Sequence, residues 1–267
     1  MAVNRGVLLH YEIKGEKGEP LLMLRGLSRS LDYWMGLDEI LSQRFRVIVM
    51  DNRGVGRSSK PTGLWSIEEM ADDTAAVIGA SGLAPVCLFG MSLGGMVAQE
   101  TVLRHPLLVS RLILACTTPG PKKGYRPLPS AVAGLILAGL LPLSISNEIV
   151  TRLTLSDEFR KQDESVGHSW LELGRKGPVS RISVFKQMLA VLGHDTGDRL
   201  GQINAPTLVM TGTADSIIDS RNSELMAELI PGAKLEYIHG AGHDFPAELP
   251  KLTADLIKDF CTSTRNA

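Results

Sequence analysis

Ser92 stands between glycines in Gly90-Met91-Ser92-Leu93-Gly94, and a third glycine, Gly95, follows. The apolar run PVCLFG precedes this stretch and a helical pattern follows it, so the G-x-S-x-G spacing falls at a strand-to-helix junction, the context that gives it chemical meaning. A helix that must fold back at once past its strand needs small residues on both sides of the turn, and Gly90, Gly94 and Gly95 supply them. The turn lifts the serine hydroxyl to the edge of the sheet and aims the helix N-terminus at whatever reacts there. A glycine-rich junction can also use its serine simply as a cap. A nucleophilic Ser92 therefore requires a base and an orienting acid elsewhere in the chain.

The surrounding elements are those that would carry such a turn. Residues 20 to 118 alternate short apolar runs (PLLMLR, FRVIVMD, PVCLFG, VSRLILAC) with longer helical patterns, which predicts a parallel sheet covered on both faces. SIEEMADDTAAVIGAS opens with Ser66 three residues before Glu69, the spacing of a capping box, and predicts a helix. VLLHYEIK, flanked by Gly6 and Gly15, reads as an antiparallel hairpin or edge strand. From about 119 to 200 the strand pattern stops, and Pro/Gly-rich connections alternate with helical stretches such as RISVFKQMLAVLG. Strands resume with APTLVMTGTAD and AKLEYIHG, separated by a helix over roughly 219 to 230, and a terminal helix starts at about 247. The 13-residue apolar run AVAGLILAGLLPL falls short of the roughly 20 residues a membrane-spanning helix needs and is expected to be a buried helix. It would either roof an acyl or aromatic pocket or hold the helical segment together.

The 267 residues, 44% hydrophobic, suffice for a full-size core, which excludes disorder and small disulfide scaffolds. A net charge of -1 advertises no binding to nucleic acid or anionic membrane. Cys87, Cys116 and Cys261 show no C-x-x-C spacing and fit inert buried thiols in a reducing compartment; with no visible signal peptide, the expected location is cytoplasmic.

Five segments in order, LRGLSRSLDYW, DNRGVGRSS, GMSLGG, TGTADSIID and GAGHDFPAELP, resemble the α/β-hydrolase superfamily over nearly the whole chain outside the helical segment. The resemblance implies a mostly parallel eight-stranded sheet flanked by helices, with a core of residues 1–118 and 201–267 and a helical cap, 119–200, inserted after the sixth strand. It implies a catalytic set of Ser92, Asp215 and His243. Asp219 rivals Asp215 but is better placed to cap the helix that follows. Among the other histidines, His105 closes a helix where it would satisfy terminal carbonyls, and His239 is structural. The resemblance also implies an oxyanion hole from the backbone amides of Leu93 and Leu27.

Where the family commonly has His-Gly before that second donor, Arg25-Gly26 stands here. Arg25 either holds the loop by hydrogen bonds or presents its fork to a carboxylate-bearing substrate. DNRGVGRSS lacks the third glycine of a dinucleotide fingerprint, Ser59 standing in its place, and reads as a structural turn near the site. No metal or organic cofactor is required by such a set. The implied activity is hydrolysis of esters of small-to-medium lipophilic substrates, or of lactones, as in carboxylesterases and enol-lactone hydrolases. C–C bond hydrolases, perhydrolase- or haloperoxidase-like enzymes and ligand receptors share the fold. The expected partner is a small-molecule ester or lactone, and apolar cap surface would suit a homodimer.

Overall fold

The computed structural model describes residues 1–177 and 179–262. Among the described residues there are nine strands and eleven α-helices. Strands β1 (Ala2–Asn4) and β2 (Val7–Leu9) form a separate antiparallel ribbon. Strands β3 (Tyr11–Lys14), β4 (Pro20–Leu24), β5 (Arg46–Met50), β6 (Val86–Met91), β7 (Val109–Ala115), β8 (Thr207–Gly212) and β9 (Lys234–Ile238) build the main sheet in the order β3-β5-β4-β6-β7-β8-β9. Only β3 runs antiparallel, along β5. The main sheet thus holds seven strands rather than the expected eight, because the N-terminal segment divides: its first part curls into the ribbon over the helix Ile67–Ser81, and only Tyr11–Lys14 joins the edge. The helical insertion accordingly follows the fifth strand of this sheet.

The central strands are almost completely buried, as their unbroken apolar runs require. Leu22, Leu24, Ile48 and Leu88 belong to the core on one face, and Leu21, Met23, Val47 and Phe89 to the core on the other. Helices α2 (Ile67–Ser81) and α3 (Leu93–Arg104) close the first face; α1 (Leu37–Ser42) and the C-terminal α11 (Pro250–Thr262) close the second. The capping box of α2 is present in full: Ser66 Oγ accepts from the Glu69 amide at 3.2 Å and Glu69 Oε2 from the Ser66 amide at 3.0 Å. All three cysteines are free and buried, and Cys87 on β6 touches Cys261 on α11 with sulfurs 3.1 Å apart. His105 turns its ring to Asp72 of α2 at 2.9 Å, beside the Arg104–Asp72 pair, and not to the carbonyls closing its own helix.

Between β7 and β8 the chain forms α4 (Pro129–Leu140), α5 (Leu143–Thr154), α6 (Asp157–Gln162), α7 (Ser165–Lys176) and α8 (Arg181–Gly193). Helix α4, expected to be buried, is not: Ala131 and Ala138 are covered, while Val132, Ile136, Leu137 and Leu140 are exposed. It packs closely on α5 at Gly134, where a Cβ would sit 2.8 Å from Leu153. Among the described residues no helix is long and apolar enough to cross a membrane.

Gly90 and Gly79 make a matched pair for testing where small size matters. A Cβ on Gly90 would overlap the Gly94 carbonyl and lie 2.8 Å from Ala98 Cβ, whereas one on Gly79, exposed in α2, would meet nothing within 4 Å. Gly90→Ala is expected to destabilise by about 3 kcal/mol or more. Gly79→Ala should instead stabilise by about 0.5–1 kcal/mol through helix propensity. Urea denaturation of the two variants beside wild type checks both signs.

Candidate active site

All the chemistry-bearing positions lie past the C-terminal ends of adjacent strands. Ser92 follows β6 with φ 55° and ψ -121°, a conformation that non-glycine residues rarely adopt. The strain is held by close packing on every side. A Cβ on Gly94 would lie 2.8 Å from the Arg25 carbonyl, one on Gly95 2.6 Å from Thr117 Cβ, and one on Gly26 3.2 Å from Ser92 Cβ. The Ser92 amide donates to the Ala115 carbonyl (2.9 Å), and the Thr117 hydroxyl donates to the Ser92 carbonyl (2.8 Å), fixing the turn from β7.

Asp215 follows β8. Its Oδ1 accepts from the amides of Ile217 (2.8 Å) and Ile218 (3.0 Å), and its Oδ2 lies 2.7 Å from Nδ1 of His243, which follows β9. Ionised Asp215 has only acceptors, so Nδ1 carries the proton and Nε2 is left as the acceptor. Burial alone would lower the pKa of His243, but the charge and hydrogen bond of Asp215 outweigh it and raise the pKa above the ordinary 6.5. Asp219 is turned away, ion-paired with Arg221 at 2.6 Å and accepting from the Arg221 amide at the start of α9 (Arg221–Leu229). His239 is exposed and stacks on Tyr237.

Ser92 and His243 line one cavity of about 90 Å³, together with Arg25, Gly26, Leu27, Ser28, Arg29, Leu135, Val150 and Ile217. The Leu27 amide belongs to the loop after β4, and the Leu93 amide, first in α3, has no acceptor within its helix. Leu27 lines the cavity with Ser92, and Leu93 directly follows Ser92 in the chain.

Several residues hold this arrangement through partners distant in the sequence. Arg25 is 1% exposed, and its fork grips Asp244 with Nη1–Oδ1 at 3.1 Å and Nη2–Oδ2 at 2.7 Å, while its face lies 4.8 Å from the centroid of Trp34. The carboxylate partner of Arg25 is thus the residue after His243, and the fork is not open to a substrate. Of the two expectations for Arg25, the geometry carries the one in which it ties loops together.

Glu248, in the short helix α10 (Phe245–Glu248), accepts from the amides of Ser156 (2.7 Å) and Gly242 (3.0 Å), and the Asp244 amide donates to the Thr154 carbonyl (2.8 Å). These bonds clamp the His243 loop to the helical insertion. On the opposite side, Gln187 of α8 accepts from the Ser28 amide (2.8 Å) and donates to the Arg53 carbonyl (3.3 Å). The DNRGVGRSS turn is a structural cradle: Asp51 accepts from the amides of Leu31 (2.8 Å) and Arg57 (2.9 Å), and Arg53 pairs with buried Asp73 at 2.6 Å.

Cys116, just past β7, lies beside this group, its thiol within 4.8 Å of the Asp215 and His243 donor atoms. Those three side chains are close enough to share an ion. The carboxylate and imidazole are bonded to each other, however, and burial and the Asp215 charge push the thiol pKa well up, so the set is arranged for holding protons.

The chain matches the family described as alpha/beta hydrolase fold over residues 19–143. A solved structure described as Est816, an N-acyl homoserine lactone degrading enzyme, is 30% identical, with a TM-score of 0.83 over 97% of this chain and 99% of that one. An esterase from Exiguobacterium antarcticum is 25% identical with a TM-score of 0.86, covering 98% of each chain. A putative carbamate hydrolase, RutD, of Azorhizobium caulinodans is 29% identical over 95% of this chain and 94% of its own. The chain belongs to the α/β-hydrolase family, and its activity is that of a hydrolase.

The Arg25–Asp244 pair yields a stability test. Arg25→Met leaves a buried carboxylate unpaired and is expected to cost about 3–5 kcal/mol. Adding Asp244→Asn removes that orphan charge, so the double variant should recover much of the loss in urea denaturation.

Proposed function

We propose that the protein is a serine hydrolase that cleaves carboxylic ester or lactone bonds of small-to-medium substrates through an acyl-enzyme on Ser92. One observation carries this reading: Ser92, on its strained turn, and His243, its Nδ1 engaged by Asp215 at 2.7 Å, line a single cavity. Ser92 Oγ attacks the carbonyl carbon while its proton passes to His243 Nε2. Asp215 holds the ring and stabilises the imidazolium. The carbonyl oxygen, now negative, is received by the Leu27 and Leu93 amides. His243 then returns the proton to the departing alcohol oxygen, and water activated by the same nitrogen hydrolyses the acyl-enzyme. In this reading the helices of residues 119–200 form a cap, and the apolar walls at Leu135, Val150 and Ile217 suit a lipophilic acyl group. The names of the esterase and the lactone-degrading enzyme among the similar structures support the bond type.

Hydrolysis of p-nitrophenyl esters from acetate to long-chain acyl groups, with wild type beside Ser92→Ala, tests the reading. Wild type is expected to turn over, and Ser92→Ala should lose about four or more orders of magnitude in kcat. Comparable activity in both proteins, or none in either on any ester, refutes it; turnover of an aryl carbamate alone would reassign the bond.

The pH profile follows from the raised His243 pKa. The base must be neutral, so kcat/KM should rise with pH through an inflection above 6.5. Asp215→Asn removes the charge and leaves burial, so the imidazole, followed by NMR, should then titrate below 6.5.

A further inference from the structure

Arg29, half-buried, differs from the buried arginines around the site. Arg25 has Asp244 and Arg53 has Asp73, whereas Arg29 has no carboxylate partner among the described residues. Its guanidinium carbon lies 4.3 Å from the ring centroids of both Tyr33 and Trp170. Burial pushes its pKa below the ordinary arginine value, while for Arg53 the hydrogen bond to Asp73 outweighs burial and raises it. Arginine stays charged in either case. Two aromatic rings lie against the faces of this planar cation, and the Tyr33 hydroxyl takes one hydrogen bond from its edge, so the remaining N–H donors of the five are those available to an acceptor.

That edge has somewhere to point. Arg29 lines the cavity at Ser92 and also an adjoining one of about 330 Å³ beneath the helical insertion. Leu27, Ser28, Leu135 and Val150 are common to both. Among the described residues no aspartate or glutamate lines the larger cavity, while Arg181 stands at it as a second cation. The one carboxylate lining the smaller cavity, Asp244, is already held by Arg25. A positive, carboxylate-free chamber next to the reacting serine is unfavourable when empty and suited to an anion.

We propose that Arg29 is a substrate-anchoring residue, and that the enzyme prefers esters or lactones carrying a carboxylate, which the Arg29 fork binds while Ser92 attacks the carbonyl. This rests on the ester-hydrolase reading for the chemistry but not for the anion site.

The experiment compares mono-p-nitrophenyl glutarate, which is anionic, with p-nitrophenyl pentanoate, its neutral counterpart of equal chain length, in wild type, Arg29→Met and Arg29→Lys. Glutarate binding is measured separately by calorimetry. Wild type is expected to favour the anionic ester. Arg29→Met should lower the anionic-to-neutral ratio of kcat/KM by about 10- to 100-fold, the scale of a lost charge-assisted hydrogen bond, and chiefly through KM. Arg29→Lys keeps the charge but not the fork, so a smaller fall of the same sign is expected, and it decides the matter if Arg29→Met does not fold. A ratio unchanged by both substitutions overturns the inference. If wild type hydrolyses neither ester, the ester reading fails, and calorimetry still decides: glutarate binding that Arg29→Met weakens supports the anion site, and no binding to wild type ends it.

Discussion

Between the last residue of β6 and the first of α3 the chain has one position in which to reverse, and Ser92 occupies it at φ 55°. A side chain in that region costs on the order of 1–3 kcal/mol and persists only where neighbours leave no alternative. Here the neighbours are backbone: Gly94 stands against the Leu24 and Arg25 carbonyls, and Gly90 against Gly94. The helix can approach the sheet this closely only without β-carbons, and that approach projects the hydroxyl beyond the strand ends. The parallel order β4-β6-β7-β8-β9 does the rest, delivering the loops of Leu27, Asp215 and His243 to the same edge.

Position along that edge is not the same as fixed geometry, which comes from a second layer of polar contacts. The loop after β4 and the loop after β9 are joined by the buried Arg25–Asp244 pair, and each is separately bonded to the helical insertion through Gln187 and Glu248. A buried ion pair adds little net stability over apolar packing, since desolvation offsets its attraction. Its value lies in direction, because a two-pronged contact defines the relative orientation of two loops in a way that packing between aliphatic side chains does not.

Much of this could be read from the sequence, because its signals are local. The glycine spacing about Ser92, the Ser66–Glu69 cap and the periodicity of Arg181–Gly193 each depend on residues a few positions apart, and each element stands where it was expected. Asp244 and Gln187 had no such signal: their partners lie 219 and 159 positions away, and an aspartate beside a histidine or a glutamine in a helix is unremarkable alone. Helix α4 shows the limit of composition. Its all-apolar run announces hydrophobicity, but whether that surface meets core, cavity or solvent is decided by Gly134 and Ala138, the residues through which it docks. Arg25 exposed the same gap, since its residue type was informative and its partner was not.

Gln187 receives one hydrogen bond and gives one, joining the loop of Ser28, which lines the cavity at Ser92, to the loop of Arg53. Anyone grafting a different set of helices onto this sheet inherits that requirement. A glutamate at the same place would accept from Ser28 but face the Arg53 carbonyl with a second acceptor, and a leucine of similar bulk would satisfy neither. The transplant would thus be decided at one amide, however well its helices matched the rest of the surface.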